Sequence, residues 1–82
     1  MEDKNFIEIN KNDFIYIYKK KKPRVGIVIK ENNELKCISV YLDNNENLIS
    51  EGKVFAKLKK YDSDDLEVIS REKAIRILKD EE

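Results

Sequence analysis

Apolar and polar residues alternate most regularly between residues 13 and 30, and this pattern predicts a β-hairpin. Residues 14–18 are all aromatic or β-branched, which suits a pleated strand better than a helix. Side chains alternate between the two faces of a strand. Ile15 and Ile17 therefore share the face that we assign to the core, and Phe14, Tyr16 and Tyr18 share a half-exposed face.

The second strand of this hairpin is predicted over residues 24–30, where Val25, Ile27 and Ile29 alternate with Gly26 and other residues. A glycine inside a strand indicates a bulge, a bend or a close approach of backbone. Four lysines and a proline separate the two strands: Lys19, Lys20, Lys21, Lys22 and Pro23. Because four adjacent like charges repel one another and stay solvated, we expect a projecting basic loop rather than a two-residue turn.

A third strand is predicted over residues 35–42, after a polar turn of hairpin length at residues 31–34. Ile38, Val40 and Leu42 share its expected core face, and Cys37 and Tyr41 lie on the other. Residues 43–47 carry the strongest turn signal in the chain, since asparagine tolerates positive φ and bonds its own backbone. A short apolar return follows at residues 48–49, and residues 50–52 indicate a further break.

The last third of the chain is less clear. Residues 53–61 fit a strand or an irregular turn better than a helix, residues 62–65 form a loop, and residues 66–69 form a short strand. Residues 70–80 fit either a helix with Ser70 as its N-cap or one 3₁₀ turn followed by a strand over residues 74–78. We favour the second, with Ile75 and Ile77 pointing inward.

The order of these predicted elements resembles that of an SH3-like small barrel. The segments DFIYIY and KPRVGIVI are similar to the openings of nucleic-acid-associated SH3-like modules, including the KOW and Tudor types, although the loop glycines of the first and the spaced aromatic cage of the second are missing. The resemblance implies a mainly β fold with a five-stranded barrel over residues 13–78. Residues 1–12 are then an arm or an edge strand, and residues 79–82 a solvated tail. The alternative is an open antiparallel sheet with one C-terminal helix.

Composition limits the remaining possibilities. The 82 residues suffice for one domain, and 17 basic side chains balance 17 acidic ones. The charge is nevertheless uneven, at +4 over residues 1–30 (8 basic, 4 acidic) and −4 over residues 31–52 (1 basic, 5 acidic). The single cysteine, Cys37, excludes an internal disulfide and fits a reducing compartment. With no apolar leader and no run of membrane-spanning length, we expect a cytoplasmic protein.

Catalytic chemistry is not indicated, and we expect no enzyme, no cofactor and no metal. The chain has no histidine, which removes the common triads and zinc sites. Cys37 has no evident base, so a structural thiol is the better interpretation. Asp62, Asp64 and Asp65 lack the glycine and distal glutamate of a calcium loop, and a solvated turn explains them better.

The candidate binding surface combines cations with nearby tyrosines, and its members are Tyr16, Tyr18, Lys19, Lys20, Lys21, Lys22, Arg24 and Tyr41. Basic side chains beside exposed aromatic rings can hold phosphates and stack bases. The more common role of such a lysine run is solvation of a loop, and cross-strand packing is the simpler account of the tyrosines.

We therefore expect a small non-enzymatic binding module that recognises a protein partner, along a sheet edge or in a groove formed by Tyr16, Tyr18 and Tyr41. The alternative is a nucleic-acid-binding barrel that uses the basic loop at residues 19–24. Membrane binding is not expected. The oligomeric state is open, since an edge at residues 6–9 or 53–58 could pair with a second copy.

Overall fold

The computed structural model describes residues 1–18 and 24–80, in which five strands form one antiparallel sheet. The spatial order of the strands is β4-β3-β2-β1-β5. The predicted mainly β fold is confirmed. In chain order the elements are β1 (Phe14–Ile17), β2 (Arg24–Glu31), β3 (Glu34–Leu42), β4 (Leu48–Lys57), 3₁₀ turns at Leu58–Lys60 and Ser63–Asp65, β5 (Leu66–Ile69) and helix α1 (Arg71–Asp80).

The connection between β2 and β3 shows how local sequence fixes the register. Asn32 and Asn33 have φ values of 52° and 63°, and Glu31 pairs with Glu34 across them. Two central residues with positive φ give a turn whose twist matches that of the flanking strands. Asparagine tolerates this conformation, so the turn predicted at residues 31–34 is confirmed.

Both faces of the sheet are covered, and each has its own apolar cluster. Ile15 and Ile17 are fully buried on the first face, as expected. On the second face, Phe14 and Tyr16 pack with residues of α1. The first cluster is built on Ile9, Ile15, Ile17, Val28, Cys37, Ala56, Leu58 and Leu66. The second is built on Val25, Val40, Ile69 and Ala74.

Residues 71–80 form a helix, so the favoured 3₁₀ turn and strand were wrong and the helical alternative was right. The Ser70 hydroxyl accepts a hydrogen bond from the Lys73 amide at 3.1 Å, as an N-cap does. Ala74, Ile77 and Leu78 pack against the second face of the sheet, at the three- and four-residue spacing of one helical stripe. A strand here would have left that face of the sheet without its cover.

Strand β4 is longer than the sequence indicated. The apolar return at residues 48–49 is the start of the same strand that continues to Lys57, so the predicted break at residues 50–52 was wrong. Gly52, with a φ of 74°, carries the chain through that point as an irregularity inside the strand. For residues 53–61 we predicted a strand or an irregular turn, and the structure has both, since β4 continues to Lys57 and a 3₁₀ turn follows at Leu58–Lys60.

The first nine residues form a docked arm. Glu2 and Glu8 make an isolated antiparallel bridge, and the Lys4 amide donates to the Leu66 carbonyl at 2.9 Å. Ile9 is buried in the first cluster. The arm therefore lies against β5, which is one of the two edge strands of the sheet.

Candidate binding surfaces

Tyr16 and Tyr18, two of the residues selected from sequence, lie together on the second face of the sheet. Their rings stack with centroids 4.6 Å apart and an interplanar angle of 28°. Tyr16 is half-buried, and Tyr18 keeps 40% of its surface exposed. This pair is the part of the predicted tyrosine groove that the fold assembles.

The polar edge of this pair is occupied by the protein itself. The Tyr18 hydroxyl donates to Glu67 Oε1 at 2.6 Å, and Lys73 Nζ lies 3.4 Å from the same oxygen. Lys4 Nζ lies 4.5 Å from the Tyr18 ring centroid. The hydrogen bond donated to Glu67 raises the pKa of Tyr18, with burial adding to the rise. These contacts hold Tyr18 against Lys4 of the N-terminal arm and Glu67 of β5. They explain the position of the Tyr18 ring without a ligand.

Tyr41 does not join the other two tyrosines. Tyr16 pairs with Val25 across β1 and β2, and Gly26 pairs with Ser39 across β2 and β3. Because side chains alternate along each strand, this register places Tyr41 on the opposite face of the sheet from Tyr16. Tyr41 is 44% exposed there. The groove expected from all three tyrosines is not formed.

The four lysines at 19–22, named as the core of the predicted basic surface, lie outside the described residues, as does Pro23. Tyr18 is the last described residue before them. The Tyr18 amide donates to the Asp65 carbonyl at 2.9 Å.

Arg24 is the candidate residue with the most developed surroundings. Its guanidinium carbon lies 4.1 Å from the centroid of the Phe55 ring, and its Nη2 donates to Ser39 Oγ at 2.8 Å. The residue is exposed and forms no ion pair with any carboxylate of residues 1–18 and 24–80. A planar guanidinium that is stacked and hydrogen-bonded on one side holds its remaining N–H groups in a fixed direction.

Gly26 and the irregular pairing of β4 place Phe55 beneath Arg24. The register between β3 and β4 shifts on both sides of Ile38, which turns Phe55 into an extra residue of the strand. A Cβ atom at Gly26 would lie 2.7 Å from Phe55 Cε1 and 2.3 Å from Cys37 Sγ. The close approach indicated by this glycine in the sequence is therefore present, and it makes room for the Phe55 ring.

A groove of about 330 Å³ adjoins this ring, and it is lined by Val54, Phe55, Ala56, Lys57, Lys60 and Tyr61. No carboxylate belongs to this set of described residues. We call Arg24, Phe55, Lys57, Lys60 and Tyr61 the Arg24 surface. Sequence analysis identified only Arg24 from this group. The available signal was the segment KVFAKLKKY, in which four lysines alternate with apolar and aromatic residues without one acid.

Cys37 is a structural residue. It is fully buried in the first cluster, and burial raises the pKa of its thiol to about 12, against a smaller opposite effect of Arg24. A thiol of this kind is protonated at neutral pH and is a poor nucleophile. Within the described part of the chain, no group of histidine, cysteine, aspartate or glutamate residues is arranged to hold a metal ion.

Two further findings bear on the class of protein. None of the helices in the described residues is both long and apolar enough to cross a membrane. Comparisons with protein-family models, with curated proteins and with solved structures found no match to this chain. The assignment of function therefore depends on the surfaces described above.

Proposed function

We propose that this protein is a small non-enzymatic binding domain that recognises an acidic segment of a protein partner at the Arg24 surface. The observation that carries this proposal is the Arg24 guanidinium, which is held by Phe55 and Ser39 but has no carboxylate partner in the described chain. An arginine held in this way loses little conformational freedom when it binds an anion, so its hydrogen bonds contribute more to affinity.

The strand layout supports an SH3-like barrel as the scaffold. Strands β1 to β4 follow one another across the sheet, and β5 returns beside β1 after a 3₁₀ turn. The resemblance instead implied a 3₁₀ turn after residue 69 and a closing strand at residues 74–78, and a sheet followed by one C-terminal helix also fits the open antiparallel alternative. The docked arm and helix α1 are additions to the strand layout, and neither contributes a residue to the Arg24 surface. Fold alone assigns no ligand, so the proposal rests on the surface.

The chemistry of the groove indicates the kind of ligand. The groove lining includes Lys57 and Lys60, and neither forms an ion pair with a described residue. Phe55 and Val54 supply apolar contact next to these cations. A peptide segment with one or two carboxylates beside an apolar side chain would pair with the cations of the groove and pack against its apolar residues.

The basic residues of the Arg24 surface extend over a short length, and this favours a peptide over a long polyanion such as a nucleic acid. Glu51 precedes the groove residues along the chain, and Asp62 follows directly after Tyr61. A nucleic-acid strand carries one charge per nucleotide and needs a continuous basic track over several nucleotides. The acidic residues at each end would repel such a strand, whereas they leave room for one or two acidic side chains.

An amide NMR titration with a short peptide, two glutamates flanking a leucine, tests the proposal. We expect shifts at Arg24, Phe55, Lys57 and Tyr61, and no shifts with the lysine counterpart of the peptide. Arg24→Gln should weaken binding by about 10- to 100-fold, since a charge-assisted hydrogen bond contributes about 1.5–3 kcal/mol. Arg76→Gln, on the exposed surface of α1, is the matched control and should bind as the wild type.

Equal affinity of the Arg24→Gln and wild-type proteins would reject the Arg24 surface as the binding site. Shifts confined to residues of α1 or the arm would do the same. Thermal unfolding of both variants, followed by circular dichroism, separates a loss of binding from a loss of fold.

Nucleic acid is the second candidate, because Arg24 directly follows the lysine run at residues 19–22. The same titration with single-stranded oligothymidylate at two salt concentrations tests it. If the oligonucleotide binds more tightly than the peptide and its affinity falls steeply with salt, the nucleic-acid alternative replaces the protein partner. If the oligonucleotide does not bind, the lysine run serves solubility.

A further inference from the structure

The tip of the N-terminal arm is a rigid turn held by one buried carboxylate. Asp3 is 1% exposed. Its Oδ1 accepts hydrogen bonds from the Asn5 and Ile7 amides at 2.8 and 2.9 Å, and its Oδ2 accepts one from the Val68 amide at 2.8 Å. The Asp3 amide also donates to the Ile7 carbonyl at 2.9 Å. The turn is therefore closed on itself and attached to β5.

This turn presents a large apolar side chain to solvent. Phe6 is 82% exposed and has a φ of 62°, in the left-handed region that bulky residues rarely occupy. Its neighbour Ile7 is 47% exposed. The protein thus holds an aromatic ring away from its own core in a strained conformation, although asparagine or glycine would close the same turn at lower cost.

The base of the same arm forms one wall of a groove of about 640 Å³. Leu35 supplies most of its exposed apolar lining, since Ile9 is 2% exposed, and the turn between β2 and β3 forms its other wall. The polar part of the lining includes two ion pairs, Met1 with Glu8 and Lys59 with Glu34. The lining also carries Lys11 and Lys30, neither of which forms an ion pair with a described residue. The groove has room for an aromatic side chain, and no described phenylalanine lies among its lining residues.

We propose that the protein forms a two-fold symmetric dimer in which Phe6 of each copy inserts into this groove of the other copy. A two-fold interface requires that a residue and its contact site exchange roles between the subunits. The arm meets that requirement because it carries Phe6 at its tip and the groove wall at its base. The contact is separate from the Arg24 surface and does not depend on the anionic ligand proposed there.

Electrostatics favour a second copy as the occupant. The chain has equal numbers of acidic and basic side chains, so two copies do not repel each other through net charge. Glu2, on the same turn as Phe6, forms no ion pair with a described residue. It complements the unpaired Lys11 and Lys30 at the groove. Two inserted rings bury a modest area, so we expect a weak dimer with a dissociation constant on the order of 10–100 μM.

Sedimentation equilibrium over 1 μM to about 1 mM tests this dimer directly, given that range of affinity. The principal variant is Phe6→Asn, because asparagine accepts the positive φ and keeps the turn while removing the ring. Loss of two buried rings should weaken dimerisation at least about a hundredfold. Tyr41→Ala removes another exposed aromatic ring and should leave the dimer unchanged. A monomeric wild type at the highest concentration, or an unchanged dimer in Phe6→Asn, would overturn the proposal.

A mixing experiment distinguishes insertion into the groove from simple stacking of two Phe6 rings. Asn10→Trp fills the groove from an exposed position and leaves Phe6 in place. In Phe6→Asn alone and in Asn10→Trp alone, neither insertion can form. In a mixed dimer, Phe6 of the Asn10→Trp copy can insert into the open groove of the Phe6→Asn copy, which restores one insertion. We expect the mixed pair to associate at least about tenfold more tightly than either variant alone, as one buried ring predicts. Ring-to-ring stacking predicts dimerisation of Asn10→Trp alone and no gain on mixing, which would refute the groove.

Discussion

Gly26→Ala is the substitution that most directly tests how the Arg24 surface is built. An added Cβ would lie 2.3 Å from Cys37 Sγ and 2.7 Å from both the Ile38 carbonyl oxygen and Phe55 Cε1. All three separations are well below van der Waals contact. The Ile38 oxygen belongs to a paired strand backbone and has little freedom to move, so the strain falls mainly on Phe55 and Cys37.

The expected cost follows from these contacts. Overpacking by one methyl group in a filled core destabilises a protein by about 1–3 kcal/mol. Displacing Phe55 also removes the contact with Arg24, for a further loss of about 0.5–1 kcal/mol. We therefore expect a decrease of about 1.5–4 kcal/mol in the free energy of unfolding. That is a large share of the roughly 4–12 kcal/mol typical of a domain of this length.

Urea unfolding followed by far-ultraviolet circular dichroism measures this change. Gly52→Ala is the informative control, because a Cβ there meets no atom within 4 Å although the φ of 74° is unfavourable for alanine. It should cost only about 1 kcal/mol, and Gly52→Asn should recover most of that loss. A loss below about 0.5 kcal/mol for Gly26→Ala would refute the close packing of Phe55 against β2, since that is the usual range of neutral substitutions.

Three further predictions concern single side chains. Backbone hydrogen bonds outweigh burial and hold the pKa of Asp3 below its ordinary value of 3.8, so its carboxylate stabilises the fold above that value and loses this effect as pH falls through the folded pKa. Asp3→Asn should cost about 1.5–3 kcal/mol at pH 7 and flatten the acid side of a plot of stability against pH. Ser70→Ala should cost about 1 kcal/mol in urea unfolding through loss of the helix cap, and Ser63→Ala should cost less. The Cys37 thiol, with its pKa raised to about 12, should react with a disulfide reagent at pH 8 only after the protein unfolds, and rapid labelling of the native protein would contradict its burial.

Sequence identified the hairpin of β1 and β2 and the turn at residues 31–34 because local chemistry determines both. Ile15 and Ile17 alternate with larger aromatic residues, and this two-residue period favours a strand. Two adjacent asparagines supply the positive φ values that the turn requires. In these segments no distant contact was needed to choose between conformations.

The helix α1 was the alternative that we did not favour, because its sequence satisfies two periodicities over a short length. Ile75 and Ile77 alternate as in a strand, whereas Ala74, Ile77 and Leu78 follow a helical stripe. The second face of the sheet favours the helix, because Phe14, Tyr16 and the other apolar residues there need the apolar cover that the helical stripe supplies. Strands far from residues 70–80 in the chain form that face. The sequence of residues 70–80 alone therefore does not show that the face needs an apolar cover.

The proposed binding surface could be predicted only in part, for a related reason. Arg24 stood out because it ends a run of basic residues, but Phe55 reaches it through a register shift between β3 and β4. The position of Tyr41 depends in the same way on how β2 and β3 pair. A register shift of one residue moves a side chain to the other face, and no local pattern reports it.

Both edges of the sheet are protected, and this bears on the proposed recognition of a partner. The arm donates and accepts hydrogen bonds along β5, through Lys4 and Asp3, so that edge is occupied. Strand β4 is the other edge, and two register shifts together with Gly52 interrupt its backbone where it is most exposed. Bulges and lysines on an edge strand oppose the addition of another strand. The expectation of a peptide paired along a sheet edge is therefore not favoured by this fold. Recognition through side chains concentrates the binding energy in few residues, and replacing Arg24 should then have a larger effect than any change in the backbone of β4.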